Sequence, residues 1–194
     1  MGREIFNEVL ESIENDDMRE FAKVLLDTIP SQFYHAGASS SGRYHPSYAL
    51  GDGGLARHTL ALVRFLNYTF QIECMGSLYT SRERDMMRIA GMIHDSRKSG
   101  NEEEWTEGAH TKFEHPILAA EVIESFDGKY LTHEEIMLIS NIIKSHMGQF
   151  NTSNYSNVVL PKPITKYEKL VHWADYLASR KDIEVHCELP FEGR

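Results

Sequence analysis

Six side chains of metal-binding type occur along the chain in the order histidine, histidine–aspartate pair, histidine, histidine and aspartate: His58, His94, Asp95, His115, His146 and Asp175. Imidazole nitrogens and carboxylate oxygens suit manganese, iron, cobalt, nickel or zinc, and no thiolate is needed. The adjacent pair offers a nitrogen and a carboxylate from one short stretch, and the carboxylate of Asp95 can also bridge two ions. These residues can serve one site only if the fold brings distant segments together, as facing helices do in helical metalloproteins.

Apolar residues at helical spacing predict helices over residues 3–13, 18–28, 54–73, 82–94 and 115–126. Two further helices are predicted from capping boxes, in which a threonine is followed three residues later by a glutamate. Thr132 with Glu135 opens a helix to about residue 146, and Thr165 with Glu168 opens one to about residue 180. The polar stretch 96–112 predicts a loop, and no convincing pair of strands is present. The sequence therefore predicts an all-α fold.

Length and composition favour a single domain, since the chain has 194 residues, of which 41% are hydrophobic and 25% charged. No run approaches the roughly 18 apolar residues of a membrane span, and the polar start of the sequence does not resemble a secretory or transit signal. The two cysteines, Cys74 and Cys187, have no metal-binding or redox spacing, which fits a reducing compartment. We therefore expect a cytoplasmic protein without a membrane partner.

The net charge of −9 argues against polymeric nucleic acid as a partner, because such binders usually present a basic face. The charge is compatible with a small anionic, phosphorylated substrate, because metal ions and a few local cations can reverse the potential inside one cleft. Five residues near the predicted ligands are candidates for substrate contacts: Arg43, His45, Arg57, Lys98 and Arg180.

A segment rich in glycine and serine, residues 35–54, precedes the first predicted ligand helix. Loops of this length are commonly functional or disordered, and two interpretations stay open. One is a lid that offers backbone N–H groups to an anion, and the other is an ordinary surface loop. Tyr44, Trp105 and Tyr155 either stack on a nucleobase or serve packing. Among the remaining histidines, His172 lies on the helix face of the last predicted ligand and is the best candidate to support a ligand.

The sequence around these ligands resembles the HD-domain metal-dependent phosphohydrolase superfamily. His58 in Gly-Gly-Leu-Ala-Arg-His-Thr, the His94-Asp95 pair, and Asp175 in Ala-Asp-Tyr-Leu match the positions that bind the first metal in that superfamily. His115 and His146 match the two extra histidines of its binuclear members, where the aspartate of the pair bridges two ions. The resemblance implies an HD-domain-like helical bundle with one or two divalent transition metals in its core.

The resemblance also suggests how the chain is organised. It covers residues 53–181, which leaves N-terminal helices and the Gly/Ser loop at 1–52 and a tail at 182–194, all within one compact domain. The N-terminal helices either close over the core or form a homodimer.

The resemblance implies hydrolysis of a phosphoester or phosphoanhydride of a small nucleotide by metal-activated water, with Asp95 and Lys98 as the catalytic residues. Lys98 matches the lysine of the His-Asp-x-x-Lys form found in some binuclear members and would contact a phosphate oxygen. A solvated lysine in a charged loop is the other interpretation. His146 is followed by Met-Gly-Gln, a departure from the branch that acts on cyclic dinucleotides, so that activity is not supported.

Three other functions fit the same residues. HD-fold oxygenases use the same six ligands to hold a mixed-valent di-iron centre, which cleaves carbon bonds in polyols or phosphonates. A non-catalytic binding module is disfavoured because all six ligands are present, and an exonuclease is disfavoured by the acidic charge. An iron-dependent spectrum together with oxygen uptake distinguishes the oxygenase from the hydrolase.

Overall fold

The computed structural model describes residues 2–39, 42–101 and 111–183, and in these ranges the chain is all-α, as predicted. Eight α-helices occur there: α1 Asn7–Ser12, α2 Asp16–Leu26, α3 Gly54–Gln71, α4 Glu73–Gly76, α5 Ser81–Ile93, α6 His115–Glu124, α7 His133–Ser145 and α8 Lys166–Ala178. Short 3-10 turns lie at Arg3–Phe6, Ser31–Tyr34, Ser47–Ala49 and Gly148–Phe150. Over the same ranges no strand forms, and one isolated backbone bridge joins Ser153 and Ser156.

Capping boxes define the starts of three long helices. At α7 and α8, Thr132 and Thr165 each accept a hydrogen bond from the backbone N–H of the glutamate three residues later, as predicted. A third box, which was not predicted, opens α5 at Thr80 with Glu83. Such a cap satisfies helix N–H groups that have no partner within the helix and stabilises it by about 1 kcal/mol.

The N-terminal helices share the core of the remaining chain. The helix predicted over residues 3–13 is a 3-10 turn followed by α1, and α2 begins two residues earlier than predicted. Phe21 of α2 is fully buried in the same hydrophobic cluster as the apolar residues of α3, α5 and α7. Asp85 of α5 accepts hydrogen bonds from the backbone N–H groups of Glu14 and Asn15, which ties the start of α2 to α5. The domain limits at 52 and 181 stay predictions.

Helix α3 packs against α5 and α8, while α7 packs against α5, α6 and α8. The chain that precedes α3 lies directly against the first turn of that helix. A Cβ at Gly54 would lie 2.3 Å from the carbonyl oxygen of Ala49, so only glycine allows this approach. The Gly/Ser loop is thereby placed beside the helix that carries the first predicted ligand.

In the part of the chain that the structure describes, none of the helices combines the length and the hydropathy that crossing a membrane requires.

Candidate metal centre

All six predicted ligands meet in the core. They come from five helices or their ends: His58 from α3, His94 and Asp95 from the end of α5, His115 from the start of α6, His146 from the end of α7, and Asp175 from α8. The side chains of the first five are at most 2% exposed. Asp175 is 16% exposed and lies on the side that faces solvent.

The carboxylate of Asp95 lies at the centre and turns one oxygen to each of two groups of ligands. Its Oδ2 faces Nε2 of His58 at 3.9 Å and Nε2 of His94 at 3.4 Å. Its Oδ1 faces Nε2 of His115 at 2.9 Å and Nε2 of His146 at 3.6 Å. The structure thus divides the ligands into a first group that contains His58 and His94 and a second that contains His115 and His146.

Asp175 completes the first group. Its Oδ1 lies 3.0 Å from Nε2 of His58 and 3.7 Å from Nε2 of His94. The buried Nε2 of His94 has no hydrogen-bond partner among the described residues. An unpartnered nitrogen that faces carboxylate oxygens is the arrangement that a cation would satisfy.

Backbone carbonyls fix the orientation of three histidine rings. In His94, His115 and His146, Nδ1 lies 2.8, 2.6 and 2.7 Å from a carbonyl oxygen three residues earlier in the chain. A carbonyl oxygen can only accept, so each Nδ1 carries the proton. Nε2 is left as the ring atom with a free lone pair in each neutral ring, and it points into the cluster. This is the usual outer hydrogen bond of a metal-binding histidine.

In the second group, two histidine nitrogens face each other at a distance that a shared cation would stabilise. Nε2 of His115 and Nε2 of His146 lie 3.3 Å apart, and in neutral rings with the proton on Nδ1 both present lone pairs. Two lone pairs at this distance repel each other unless a proton or a metal ion is shared. Asp95 Oδ1 adds a third electron-pair donor on the same side. The donor set therefore fits a divalent ion that accepts nitrogen and oxygen ligands.

Neighbouring charges keep the two carboxylates ionised. Burial by itself raises the pKa of Asp95, but the Lys98 ammonium and the neighbouring histidines together outweigh burial and hold that pKa well below its ordinary value. Burial also raises the pKa of Asp175, but the hydrogen bond with His58 and the charges of the neighbouring histidines together outweigh it, and this pKa is lowered. Burial lowers the pKa of His146 to about 3, so its ring stays neutral and able to bind a cation.

A cleft of about 180 Å³ reaches the ligands from the surface. Its floor includes His58, Asp95 and Asp175, and its walls are the loop before α3, the turn after α7 and the end of α8. Lys98 lines the cleft, and its Nζ lies 2.5 Å from Asp95 Oδ2. The ammonium of Lys98 thus neutralises the oxygen of Asp95 that belongs to the first group.

Hydrogen bonds hold the wall formed by the Gly/Ser loop. The backbone N–H of Lys181 donates to the carbonyl of Tyr44 at 2.9 Å. The hydroxyl of Tyr48 donates to the carbonyl of Ala178 at 3.1 Å, so two bonds join the loop to the end of α8. These contacts favour a fixed wall over a lid. Ser40 and Ser41 lie outside the described residues.

Three of the five predicted substrate-contacting residues line the cleft: His45, Lys98 and Arg180. The guanidinium of Arg180 lies 4.2 Å from the ring centroid of Tyr176 and 5.9 Å from that of Tyr44, within range of cation–π attraction. The ring of His45 lies 5.6 Å from the ring of His58. Burial, followed by the charges of its neighbours, lowers the pKa of His45 to about 4, so this ring is neutral near pH 7.

The other two candidates, Arg43 and Arg57, are not among the residues that line the cleft. Arg57 donates to the carbonyl oxygens of Tyr48 and Leu50, at 2.5 and 3.0 Å, and so braces the loop. Successive residues of a helix point in directions about 100° apart, which explains why the neighbour of a buried histidine faces elsewhere. Arg43 is exposed. Substrate binding by these two arginines stays a prediction.

Aromatic side chains contribute more to the cleft than the sequence indicated. Of the three candidates for stacking, Tyr44 lines the cleft, Tyr155 is 99% exposed and is not part of the lining, and Trp105 lies outside the described residues. Phe150 and Tyr176 also line the cleft and were not predicted. Tyr176 directly follows a predicted ligand in the sequence, which is the one signal that could have identified it. Phe150 carries no signal of this kind.

Comparison with known proteins identifies the family alone. No curated protein and no solved structure matches the chain. The family model described as HD domain matches residues 55–180, which is more than half of the chain and includes all six predicted ligands. HD domains bind divalent metals, and the buried histidine and aspartate groups could hold such an ion. The chain therefore belongs to the HD-domain family of metal-dependent phosphohydrolases.

Proposed function

We propose that the chain is a phosphohydrolase that uses two divalent metal ions to cleave a phosphoester or phosphoanhydride of a small nucleotide. The observation that carries the proposal is the position of Asp95, whose two carboxylate oxygens face two separate groups of histidines. A carboxylate in this position can bridge two ions. The ions are manganese, iron, cobalt, nickel or zinc, because the donors are nitrogen and oxygen alone.

We assign the six residues to two metal positions; of the three groups close enough to hold one ion, the group of His94, His146 and Asp175 spans both positions. His58, His94, Asp175 and Oδ2 of Asp95 would hold the first ion, and Oδ1 of Asp95 with the two remaining histidines would hold the second. Bound ions of this kind lower the pKa of water and polarise a phosphoryl oxygen. The protein contributes a buried, preorganised set of ligands whose ring orientation is fixed by backbone carbonyls.

Lys98 and Arg180 supply the positive charge that a phosphate needs in an otherwise acidic protein. In the structure, the ammonium of Lys98 donates a hydrogen bond to the carboxylate of Asp95. With the charge of that carboxylate taken up by bound ions, the ammonium of Lys98 would be available for a phosphate oxygen at the floor of the cleft. Arg180 lies at the cleft wall between two tyrosine rings, where its guanidinium can bind further phosphate oxygens.

The lining of the cleft favours a nucleotide over a neutral polyol. Two cations in one small cleft suit an anionic substrate, and a polyol offers them no charge to neutralise. Tyr44 is 56% exposed and Phe150 is 52% exposed, so each ring has exposed surface on which a planar base can stack. Stacking of one base on an aromatic side chain contributes about 1–3 kcal/mol.

The reaction class is tested by metal analysis and phosphate release. The purified full chain would be loaded with manganese, iron, cobalt or nickel and assayed on a panel of nucleotides, both aerobically and anaerobically. We expect phosphate release that does not depend on oxygen. Two irons per chain with no phosphate release, but with oxygen uptake on a polyol or phosphonate, would instead assign the oxygenase chemistry. Bound metal without turnover on any substrate would assign a binding module.

The substrate side is tested by comparing two arginines and one tyrosine. Tyr44→Ala should raise KM for a nucleotide more than KM for a small phosphoester without a base, because it removes a stacking surface. Arg180→Ala should raise KM for both substrates, because it removes a contact with phosphate oxygens. Arg43→Ala is the comparison that decides between the two arginines, since both are predicted substrate contacts and Arg180 alone lines the cleft. An equal effect of Arg43→Ala and Arg180→Ala would contradict the assignment of the cleft wall as the substrate subsite.

A further inference from the structure

His172 of α8 makes a contact with the backbone of a predicted metal ligand. Its Nδ1 lies 2.6 Å from the carbonyl oxygen of His146. Because a carbonyl can only accept, Nδ1–H of His172 is the donor. Nε2 of the same ring lies 3.1 Å from the side-chain amide of Gln149. Because Nε2 of this tautomer is an acceptor, the amide holds the ring from the second side with its NH₂ group turned toward Nε2. Its orientation is therefore set by the segment that follows α7.

The turn after α7 is shaped to receive this ring. Gly148 has φ +56°, a conformation that favours glycine. A Cβ at Gly148 would lie 2.1 to 2.7 Å from the atoms Cε1, Nε2 and Nδ1 of His172, closer than real Cβ contacts occur. Glycine is thus required here for two reasons: the backbone conformation and the space that the ring occupies.

The hydrogen bond from His172 reaches His146 at the C-terminal end of α7, where the helix itself provides no partner for the backbone carbonyl. His146 is the C-cap residue of α7, and its carbonyl oxygen is one of the helix-end acceptors that have no partner within the helix. The imidazole of His146 is tethered to the carbonyl of Ile143, but this bond does not fix the position of the backbone. His172 supplies the missing partner from α8.

Helix α8 therefore serves both groups of ligands. It carries Asp175, which belongs to the first group, and one turn earlier it carries His172, which holds the backbone of a ligand in the second group. His172 lines the same cleft, yet its two ring nitrogens are directed to His146 and Gln149.

We propose that His172 is a positioning residue for the second metal position: it fixes the end of α7 so that Nε2 of His146 faces Asp95 Oδ1 and His115 Nε2. The proposal rests on the proposed function in one respect, namely that a second ion binds there. Loss of an outer partner of a ligand typically lowers metal affinity about 10- to 100-fold. The loss here should fall on one ion of the two.

The experiment is a titration of the metal-free full chain with Mn²⁺, with stoichiometry and affinity measured by calorimetry and by elemental analysis. For His172→Ala we expect one ion to bind as tightly as in the wild type and the second to bind about 10- to 100-fold more weakly. Gly148→Ala should have the same effect, because the added methyl group displaces the ring. The electron paramagnetic resonance signal of coupled manganese pairs should be lost from both variants at limiting Mn²⁺.

Two conservative variants separate positioning from general packing. The side-chain N–H of asparagine can take the place of Nδ1–H, whereas the amide of glutamine reaches the place of Nε2. His172→Asn should therefore keep the second ion, and His172→Gln should lose it even though it retains more of the volume of the ring. This pair decides the question if His172→Ala does not fold. His133→Ala is the control, since His133 is an exposed histidine paired with Asp127.

The outcomes distinguish this inference from the proposed function. Wild-type protein that binds two ions, with His172→Gln and Gly148→Ala binding both at unchanged affinity, would overturn the role of His172 alone. Wild-type protein that binds a single ion would overturn the two-metal proposal and the role of His172 together. Equal losses of both ions in His172→Gln would also overturn the inference, because they would indicate general damage to the core.

Discussion

The two ends of α5 each carry a buried aspartate, and the two aspartates have opposite surroundings. Asp85, near the start of the helix, is fully buried and accepts hydrogen bonds from the backbone N–H groups of Glu14 and Asn15, from the Asn15 amide and from Arg88. Asp95, just beyond the end of the helix, is as deeply buried but is faced mainly by imidazole nitrogens.

The difference separates a structural carboxylate from one that we propose binds metal. The protein itself supplies enough donors to satisfy Asp85, so this residue stabilises the fold and leaves nothing for a ligand. Around Asp95 the protein supplies one ammonium, from Lys98, and otherwise nitrogens that mostly present lone pairs. Burial is therefore a poor guide to function by itself, and the chemistry of the facing atoms decides it.

The largest effect is expected at the metal-binding end. Asp95→Ala removes the carboxylate that both proposed metal positions would share, so we expect loss of bound metal and of all phosphate release. The loss should exceed the roughly 100-fold that removal of an outer partner of a ligand costs. Elemental analysis and the phosphate assay measure it, with the surface variant Asp127→Ala as control. Full metal occupancy in Asp95→Ala would remove the distinction between the two ends of α5.

At the opposite end, Asp85→Ala should destabilise the fold and spare the metal. It removes the closest acceptor of the Arg88 guanidinium, which keeps contacts with Asn67 and Glu14, and the acceptor of two part-buried backbone N–H groups. The cost should lie near the lower end of the about 3–5 kcal/mol that breaking a buried pair costs. Urea unfolding of the metal-free protein measures the change. Asp17→Ala, which breaks a half-exposed pair with Arg82, should cost about 1 kcal/mol or less. Loss of metal from folded Asp85→Ala would contradict the assignment of Asp85 as structural.

Addition of metal should stabilise one variant and not the other. An ion that binds the folded state but not the unfolded state raises the free energy of unfolding. The increase is about 2.7 kcal/mol when the free ion concentration is 100 times the dissociation constant. We expect this gain with Mn²⁺ for wild type and for Asp85→Ala, and no gain for Asp95→Ala. Unfolding curves with Mn²⁺ and with EDTA provide the measurement. An equal gain in all three proteins would place the metal elsewhere.

The smallest effect is expected from the cap of α5. Thr80→Ala removes the hydroxyl that accepts from the backbone N–H of Glu83 and should lower the free energy of unfolding by about 1 kcal/mol. Metal affinity should stay unchanged, because Thr80 lies at the structural end of the helix. Thr80→Ser keeps the hydroxyl and serves as the control. A change in metal stoichiometry in Thr80→Ala would mean that the two ends are coupled through α5.

Much of the fold could be predicted from the sequence because its signals are local. Apolar periodicity identified the long helices, and two capping boxes identified the starts of α7 and α8 to the residue. The box at Thr80 was missed although it has the same form. The break between the 3-10 turn at Arg3–Phe6 and α1 has no such marker. Helix boundaries of this kind depend on packing against the rest of the core.

The candidate site could be predicted in its residue types and not in its arrangement. The order of histidines and aspartates is visible in the sequence, but which oxygen of Asp95 faces which histidine depends on how five helices converge. Sequence proximity also misplaces side chains: Arg57 adjoins His58 and yet binds the carbonyls of the loop. Arg180 enters the cleft because the end of α8 packs against that loop, a contact between distant parts of the chain.

The central carboxylate of Asp95 has a consequence for how ions would fill the site. One negative charge would be divided between two dications, so the free energy of binding the second ion depends on whether the first is present. Thermodynamic linkage makes this dependence reciprocal: each ion changes the affinity for the other by the same factor. Metal titrations of this chain would then be described by the affinity of each of the two ions and by one coupling free energy between them. The shared carboxylate of Asp95 would contribute to that coupling.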